Sequence, residues 1–392
     1  MSADTAAPPR RVLPTLVVAQ LLGVSPWFAA NAVMPDLQRS TGWPDTAVAT
    51  LTSALQLGFI AGTLIFALLA VADRFATRRV FLVCALASAA LTLAAVPAAT
   101  SLDALLVCRV LTGLCLAGIY PVGMKLAAQW FPRGLGPALG WLIGALVLGS
   151  ASPHALRALA VSGLAWPWQS VFVAVALASV LGGLMVITLV PAAPIKAARP
   201  TGLHRGALAS IWLDRRLRAS AFGYFGHMVE LYTVWVLVPF VLATRLSGAA
   251  LSWWAFAILG AGALGCVGGG LLAPRWGSAR VAASQLGVSG LCCLLAPLAL
   301  AAPTPVFLAW LLLWGVTVAG DSPQFSALTA SNAPPAAMGS VLTMVNSIGF
   351  AISAVSIEVF VRLASAQPLA SILPWLAVGP LLGLWMLRPL LR

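Results

Sequence analysis

Twelve apolar runs, each about 19 to 26 residues long, constrain this chain more than any other feature. They fall near 13–34, 47–72, 80–98, 104–128, 135–156 and 167–192, and again near 218–243, 251–273, 281–301, 305–328, 339–363 and 370–388. A run of that length crosses a hydrocarbon core of ~30 Å as an α-helix, which satisfies its own backbone hydrogen bonds in lipid. Composition agrees, with 61% hydrophobic and 8% charged residues. Together these exclude a soluble globular domain and predict an all-α polytopic membrane protein of twelve transmembrane helices.

The net charge of +13 would suggest a nucleic-acid partner in a soluble chain. Here the basic residues collect in short linkers between apolar runs, where they act as topology signals, and no nucleic acid is expected. An even number of spans puts both termini on one face. If that face is cytoplasmic, sixteen Lys and Arg side chains lie inside, four (Arg39, Arg157, Arg245, Arg362) lie outside, and Arg109 and Lys125 remain within spans. This bias predicts a multi-pass protein of the cytoplasmic (inner) membrane with both termini in the cytoplasm. The polar start, 1–12, lacks a processing site and is not expected to be a cleaved signal peptide.

The chain repeats itself. Gly113, Ala117, Gly118, Pro121 and Leu126 recur 202 residues later as Gly315, Ala319, Gly320, Pro323 and Leu328. The loop Ala72-Asp73-Arg74-Phe75-Ala76-Thr77-Arg78-Arg79-Val80 is echoed by Ala273-Pro274-Arg275-Trp276-Gly277-Ser278-Ala279-Arg280-Val281. Duplicated membrane proteins place their transport sites on the axis that relates the halves. The expected division is a six-helix half over 1–192, a cytoplasmic linker over 193–217, and a second six-helix half over 218–392. The six cysteines lie in or at the edge of apolar runs without metal-type spacing, and read as small core residues.

Over essentially its whole length the chain resembles the major facilitator superfamily. Its loop between spans 2 and 3 matches the family's acid and basic cluster through Asp73, Arg74, Arg78 and Arg79, but lacks both of the family's loop glycines. Arg109 followed by Gly113 fits the fourth span. Gly140, Gly144, Gly149 and Pro153 give the fifth span a glycine-rich run without the closing Gly-Pro pair of the family's antiporters. The resemblance implies that Asp73, Arg74, Arg78 and Arg79 gate the cytoplasmic side, with the acid set against the start of span 11. It also implies that spans 1, 4, 7 and 10 line the cavity. The simpler reading of the arginines is topology alone.

Ionisable residues inside a membrane are costly and default to function. Tyr224, His227 and Glu230 are spaced by three in span 7, which suggests one stripe. Glu230 is expected to be the principal proton site, tuned by His227, with a helix-bridging polar pair as the alternative. Asp321, beside Gly320 and Pro323 in span 10, is a second proton-coupling candidate, and Trp314, Thr317 and Gln324 share its face. Here the alternative is a proline kink whose polar neighbours merely satisfy freed backbone groups.

On span 4, Arg109, Gly113, Tyr120 and Met124 share a face, and Arg109 calls for a carboxylate partner or an anionic solute. Lys125 either joins the cavity or snorkels to the interface. Gln20, Trp27 and Asn31 follow a face of span 1. The expected substrate-binding set is thus Arg109, Tyr120, Lys125, Gln20, Trp27, Asn31, Tyr224, Trp314, Thr317 and Gln324. Trp235 and Trp310 are further wall candidates, and Glu358 with Arg362 reads as a surface i, i+4 ion pair.

These features predict a proton-coupled secondary transporter for a small polar, anionic or zwitterionic solute, held between Arg109 and Asp321. Two alternatives stay open: a proton antiporter for drugs or amphipathic compounds, and a membrane sensor or assembly factor that moves nothing. The expected partners are a small solute, protons and the bilayer, for a monomer without cofactor or metal. No nucleophile–base pair, metal set or phosphate loop points to an enzyme.

Overall fold

The computed structural model describes residues 9–131, 135–164, 166–192 and 206–391, without the side chains of Asp73, Leu135, Leu164 and Ala336. The described residues are helical with connecting turns, and eleven helices are long and apolar enough to span a membrane. In chain order these are α1 (Val12–Ala32), α2 (Ala47–Leu68), α3 (Thr77–Ala98), α4 (Leu102–Trp130), α5 (Gly136–Gly163) and α6 (Gln169–Leu189). After them come α7 (Arg215–Ala243) and α8 (Gly248–Trp276). The twelfth element, α9, lies next: Ser278–Leu294, continued after a turn by the short helix Ala296–Ala301. Pro297 marks that break, because proline removes a backbone donor. Then come α10 (Thr304–Asn332), α11 (Met338–Ala366) and α12 (Leu369–Leu390).

Segment 193–217 is only partly described. From residue 206 it is already structured: a short helix, Ala207–Leu213, leads into α7. Asp214 caps α7 by accepting from the amides of Arg216 and Leu217, each at 2.8 Å. The carboxylate satisfies otherwise orphaned donors, so the helix begins at Arg215 and an expected boundary at 217/218 runs through its first turn.

The helices pack in two sets, with α2 on α4, α3 on α6 and α1 on α6 in one, and α8 on α10, α7 on α12 and α7 on α11 in the other. The sets meet through α5 against α8 and α2 against α11. The repeated glycines explain part of this symmetry. A Cβ on Gly113 would fall 1.9 Å from the Leu55 carbonyl oxygen of α2, and one on Gly315 would fall 2.1 Å from that of Ile258 in α8. Only hydrogen fits at either crossing. Small residues also set the contact between the sets: Gly140 and Gly144 of α5 lie against the α8 backbone at Cys266, Gly270 and Ala263. At the other seam Gln56 Nε2 donates to Ser353 Oγ at 3.2 Å.

Several helices break at prolines, and the breaks matter most for function. In α1, Ser25–Phe28 is a 3₁₀ turn around Pro26. α4 loosens over 117–119 ahead of Pro121, and α10 turns at Asp321 ahead of Pro323. Each break frees backbone groups at membrane depth, where they persist only against protein or a cavity.

Candidate functional site

A small cavity lies where these breaks converge. It is bounded by Tyr120 of α4, a wall of α5 that includes Val147, Tyr224 and Tyr232 of α7, Ser322 of α10, and Asn346 and Phe350 of α11. All three tyrosines of the protein line it. Its volume is ≈ 30 Å³, room for a few waters at most. The walls nearly fill the site.

Aromatic packing fills it. Trp27, at the α1 break, stacks on Tyr232 (centroids 5.9 Å apart, planes 18°) and packs on Phe59 and Phe350. Tyr232 also meets Trp235 edge-on at 5.3 Å. The residues that line the cavity are aromatic, apolar or neutral polar, and no charged side chain is among them.

The charged groups sit one layer behind. His227 Nδ1 is 2.8 Å from Asp321 Oδ1, and both side chains are fully buried. The atoms are close but off the line of a well-directed hydrogen bond. On its other side His227 Nε2 is 2.8 Å from Ser322 Oγ, which reaches the cavity. If Nδ1 carries its proton toward Asp321, Nε2 accepts from the serine hydroxyl, an assignment made from the partners. The contacts run in a chain from the cavity through Ser322 and His227 to the Asp321 carboxylate.

Glu230 faces elsewhere. It is fully buried, and its Oε2 accepts from the Cys293 thiol of α9 at 3.4 Å. His227 packs beside Tyr224, with ring centroids 5.8 Å apart, and contacts Asp321, so the expected Tyr224–His227–Glu230 stripe stops short of Glu230. At about 100° per residue, steps of three drift by about 60° each, whereas steps of four, seven and eleven stay close to one line. The cavity stripe is accordingly Tyr224, Met228, Leu231 and Trp235.

Arg109 is buried and turned away from Asp321. Its Nη1 donates to the Pro26 carbonyl at 2.9 Å and its Nη2 to that of Trp27. The Pro26 carbonyl also accepts from the Ala29 amide within the 3₁₀ turn of α1, so the guanidinium fork adds two charged donors across the break and splints the helix. It does not line the cavity, and no described carboxylate pairs with it. Lys125 lies at the end of α4, where Nζ donates to the Ala72 carbonyl at 2.7 Å.

Of the remaining expected residues, Tyr120 and Tyr224 line the cavity. Asn31 donates to Thr52 Oγ1 at 2.7 Å, Gln20 packs against Gly123 of α4, and Thr317 bonds back to its own helix. Trp314 is buried against Trp310, whose Nε1 donates to the Cys292 carbonyl at 3.1 Å. Gln324 is buried without reaching the cavity. Around the α2–α3 loop, Arg74 and Arg79 are exposed and Arg78 Nη1 donates to the Val190 carbonyl at 2.6 Å. The Asp73 side chain lies outside the described residues.

Sequence reading missed Tyr232, Ser322, Asn346 and Phe350. Tyr232 was the most accessible, since it completes the set of three tyrosines. Ser322 and Asn346 carry no signal without the fold, because short polar residues are common in transmembrane helices. It also missed a largely buried network on the face away from the termini, the outer face of the expected topology. Arg157 of α5 reaches Asp36 Oδ2 through Nε at 2.8 Å and donates from Nη1 to Ser252 Oγ of α8 at 2.7 Å. By contrast, Glu358 and Arg362 pair at 3.3 Å on the α11 surface, as their spacing predicts.

Comparison with known proteins follows from this architecture. No curated protein matches the chain. Among solved structures, the human organic anion transporter MFSD10 (TETRAN) has the same fold, with a TM-score of 0.73 at 17% identity over 96% of this chain and 99% of that one. The family model described as Major Facilitator Superfamily matches residues 16–357. The chain is a multi-pass membrane protein that belongs to the Major Facilitator Superfamily of transporters.

Proposed function

We propose that the protein is a proton-coupled secondary transporter whose solute has an aromatic or apolar body and a hydrogen-bonding polar end. The observation that carries this reading is the Ser322 hydroxyl, which lines the cavity and meets His227 Nε2 at 2.8 Å, while His227 Nδ1 lies 2.8 Å from Asp321. A proton arriving through the cavity is taken up at Nε2, and the proton on Nδ1 passes to the Asp321 carboxylate. The charge of a contact between α7 and α10 changes at that moment. Because Asp321 sits at the α10 break, that change alters the balance between conformations that differ in how the two helices pack.

The neutral aromatic lining favours an amphipathic solute over a small anion held by Arg109. Arg109 supports α1 instead, by splinting Pro26 and Trp27. The similar solved structure is named as an organic anion transporter; an organic anion suits the chemistry of this lining in a more open state, its negative end on tyrosine and serine hydroxyls and its body against the rings. The division at 1–192, 193–217 and 218–392 belongs to the same reading, with the linker's end drawn back to Asp214 where α7 begins, as does a cytoplasmic-membrane location with both termini inside.

Reconstitution tests it. Vesicles holding the purified protein are given labelled aromatic amphiphiles, or small aliphatic carboxylates and zwitterions, with and without an imposed pH gradient. Gradient-driven movement of an aromatic amphiphile, lost in Asp321→Asn, is expected. Driven movement of the aliphatic solutes alone would overturn the solute class, and driven movement undiminished in Asp321→Asn would overturn the relay.

A further inference from the structure

A second cleft, separate from the transport cavity, opens between the start of α7 and the end of α12 on the face that carries the termini. Its volume is ≈ 270 Å³, against ≈ 30 Å³ for the central cavity. Arg215 and Arg218 line one side, Trp385, Met386 and Arg388 the other, and Ala219 lies between them. Arg215 with Arg218, and Trp385 with Arg388, are each three apart, so each helix presents its pair on one face.

The charge of this cleft is not balanced from within. Among the described residues no carboxylate forms an ion pair with Arg215, Arg218 or Arg388. The nearest acid in sequence, Asp214, caps α7 by accepting from the amides of Arg216 and Leu217 at Oδ1 and makes no ion pair with the cleft arginines. Arg218 gives one Nη1 hydrogen to the Trp212 carbonyl at 2.7 Å, and Arg216, outside the cleft, bonds Asn332.

Beyond the arginines the surface turns apolar. Val378, Leu381, Leu382 and Trp385 are 46%, 54%, 56% and 58% exposed, and their spacing puts them on one stripe running from the cleft into the membrane. An indole at the rim with aliphatic residues below it is the pattern of a side chain at the headgroup boundary above acyl chains. A free phosphate would use only the arginines. A phospholipid uses both.

We infer that this cleft binds the phosphate-bearing headgroup of an anionic phospholipid, with the three guanidiniums on the phosphate oxygens and an acyl chain along the Val378–Trp385 stripe. Arginine suits the role because its planar fork offers paired donors to phosphate oxygens. The site joins the first helix of the second set to the last, so an occupied cleft ties the end of α12 to the start of α7.

Native mass spectrometry of the purified protein in detergent, titrated with phosphatidylglycerol, cardiolipin or phosphatidylcholine, tests this. The anionic lipids should give a retained 1:1 adduct. The triple variant Arg215→Gln/Arg218→Gln/Arg388→Gln should bind them on the order of 10- to 100-fold more weakly, and Arg388→Gln alone, at the chain's end, about 3- to 10-fold. Trp385→Ala should weaken phospholipid without changing any effect of soluble glycerol phosphate. Equal retention of phosphatidylcholine and phosphatidylglycerol would overturn the inference, as would undiminished adduct in folded Arg388→Gln and triple variants. Glycerol phosphate or inorganic phosphate displacing the lipid at equal concentration would replace it with a free-phosphate site.

Discussion

Asp36 and Arg157, 121 positions apart in sequence, meet through an Oδ2–Nε contact of 2.8 Å at the outer ends of the helices. The same guanidinium reaches Ser252 across the α5–α8 seam at 2.7 Å. One side chain thus bridges the α1–α2 connection, α5 and α8. Its side chain is 7% exposed and that of Asp36 15%, so the pair is largely shielded from salt.

Arg157→Gln should therefore shift the protein toward states open at the outer face. Breaking a largely buried pair costs up to about 3 kcal/mol, and each 1.4 kcal/mol is about tenfold in an equilibrium. Labelling of a cysteine placed at the outer mouth should speed up about tenfold or more. Asp36→Asn should act more weakly than Arg157→Gln, since it leaves the Ser252 contact in place. An unchanged labelling rate in both variants would remove the latch.

The relay predicts different outcomes for the two buried acids. Asp321→Asn should lower gradient-driven transport by about 100-fold or more while preserving exchange of solute without a gradient, because general acid–base steps typically contribute that much. Glu230→Gln, which touches only the α9 side of α7, should change driven transport by no more than about threefold. Vesicle assays comparing driven uptake with exchange decide between them, and the reverse ranking would return the proton site to Glu230.

Arg109 gives a sharp comparison of side-chain shapes. Arg109→Gln should lower thermal stability and solute binding together, because two buried carbonyls lose a charged donor at about 1.5–3 kcal/mol each. Arg109→Lys should recover little, since a single ammonium does not reproduce the fork. Thermal unfolding in detergent reports the stability. Full stability in both variants, with binding lost only for anionic solutes, would restore Arg109 as a direct anion ligand.

The repeated glycines can be tested as a pair. Gly113→Ala and Gly315→Ala each place a methyl group on a backbone carbonyl of the neighbouring helix, which cannot rotate away. Each should destabilise by about 1–3 kcal/mol, read as a lower unfolding temperature. A Gly140→Ala control, whose Cβ would meet the Cys266 carbonyl at 3.2 Å, should cost less.

Much of the architecture was legible without coordinates. The lengths of the apolar runs determined the helices, because lipid leaves the backbone no other way to pair its hydrogen bonds within a span. The repeat of Gly113 and Pro121 as Gly315 and Pro323 marked the equivalent crossings and breaks. The ninth span shows how far such reading reaches: its run near 281–301 was plain, but its division after Leu294 came with the packed structure.

The site was legible in its residue types and not in its pairings. His227, Asp321, Tyr120 and Tyr224 stand out in sequence because ionisable and phenolic groups are expensive in lipid. Which of them touch depends on helix rotation. At about 100° per residue Glu230 and Trp235 lie about 140° apart around α7, and only packing against α9 and α10 decides that His227 meets Asp321 while Glu230 meets Cys293. Arg109 teaches the same lesson: the sequence demanded a partner for a buried cation, and the tertiary structure supplied two backbone carbonyls from a broken α1. A sequence carries the cost of burying a group locally, but the group that offsets it is brought by another helix, and that is decided only when the helices pack.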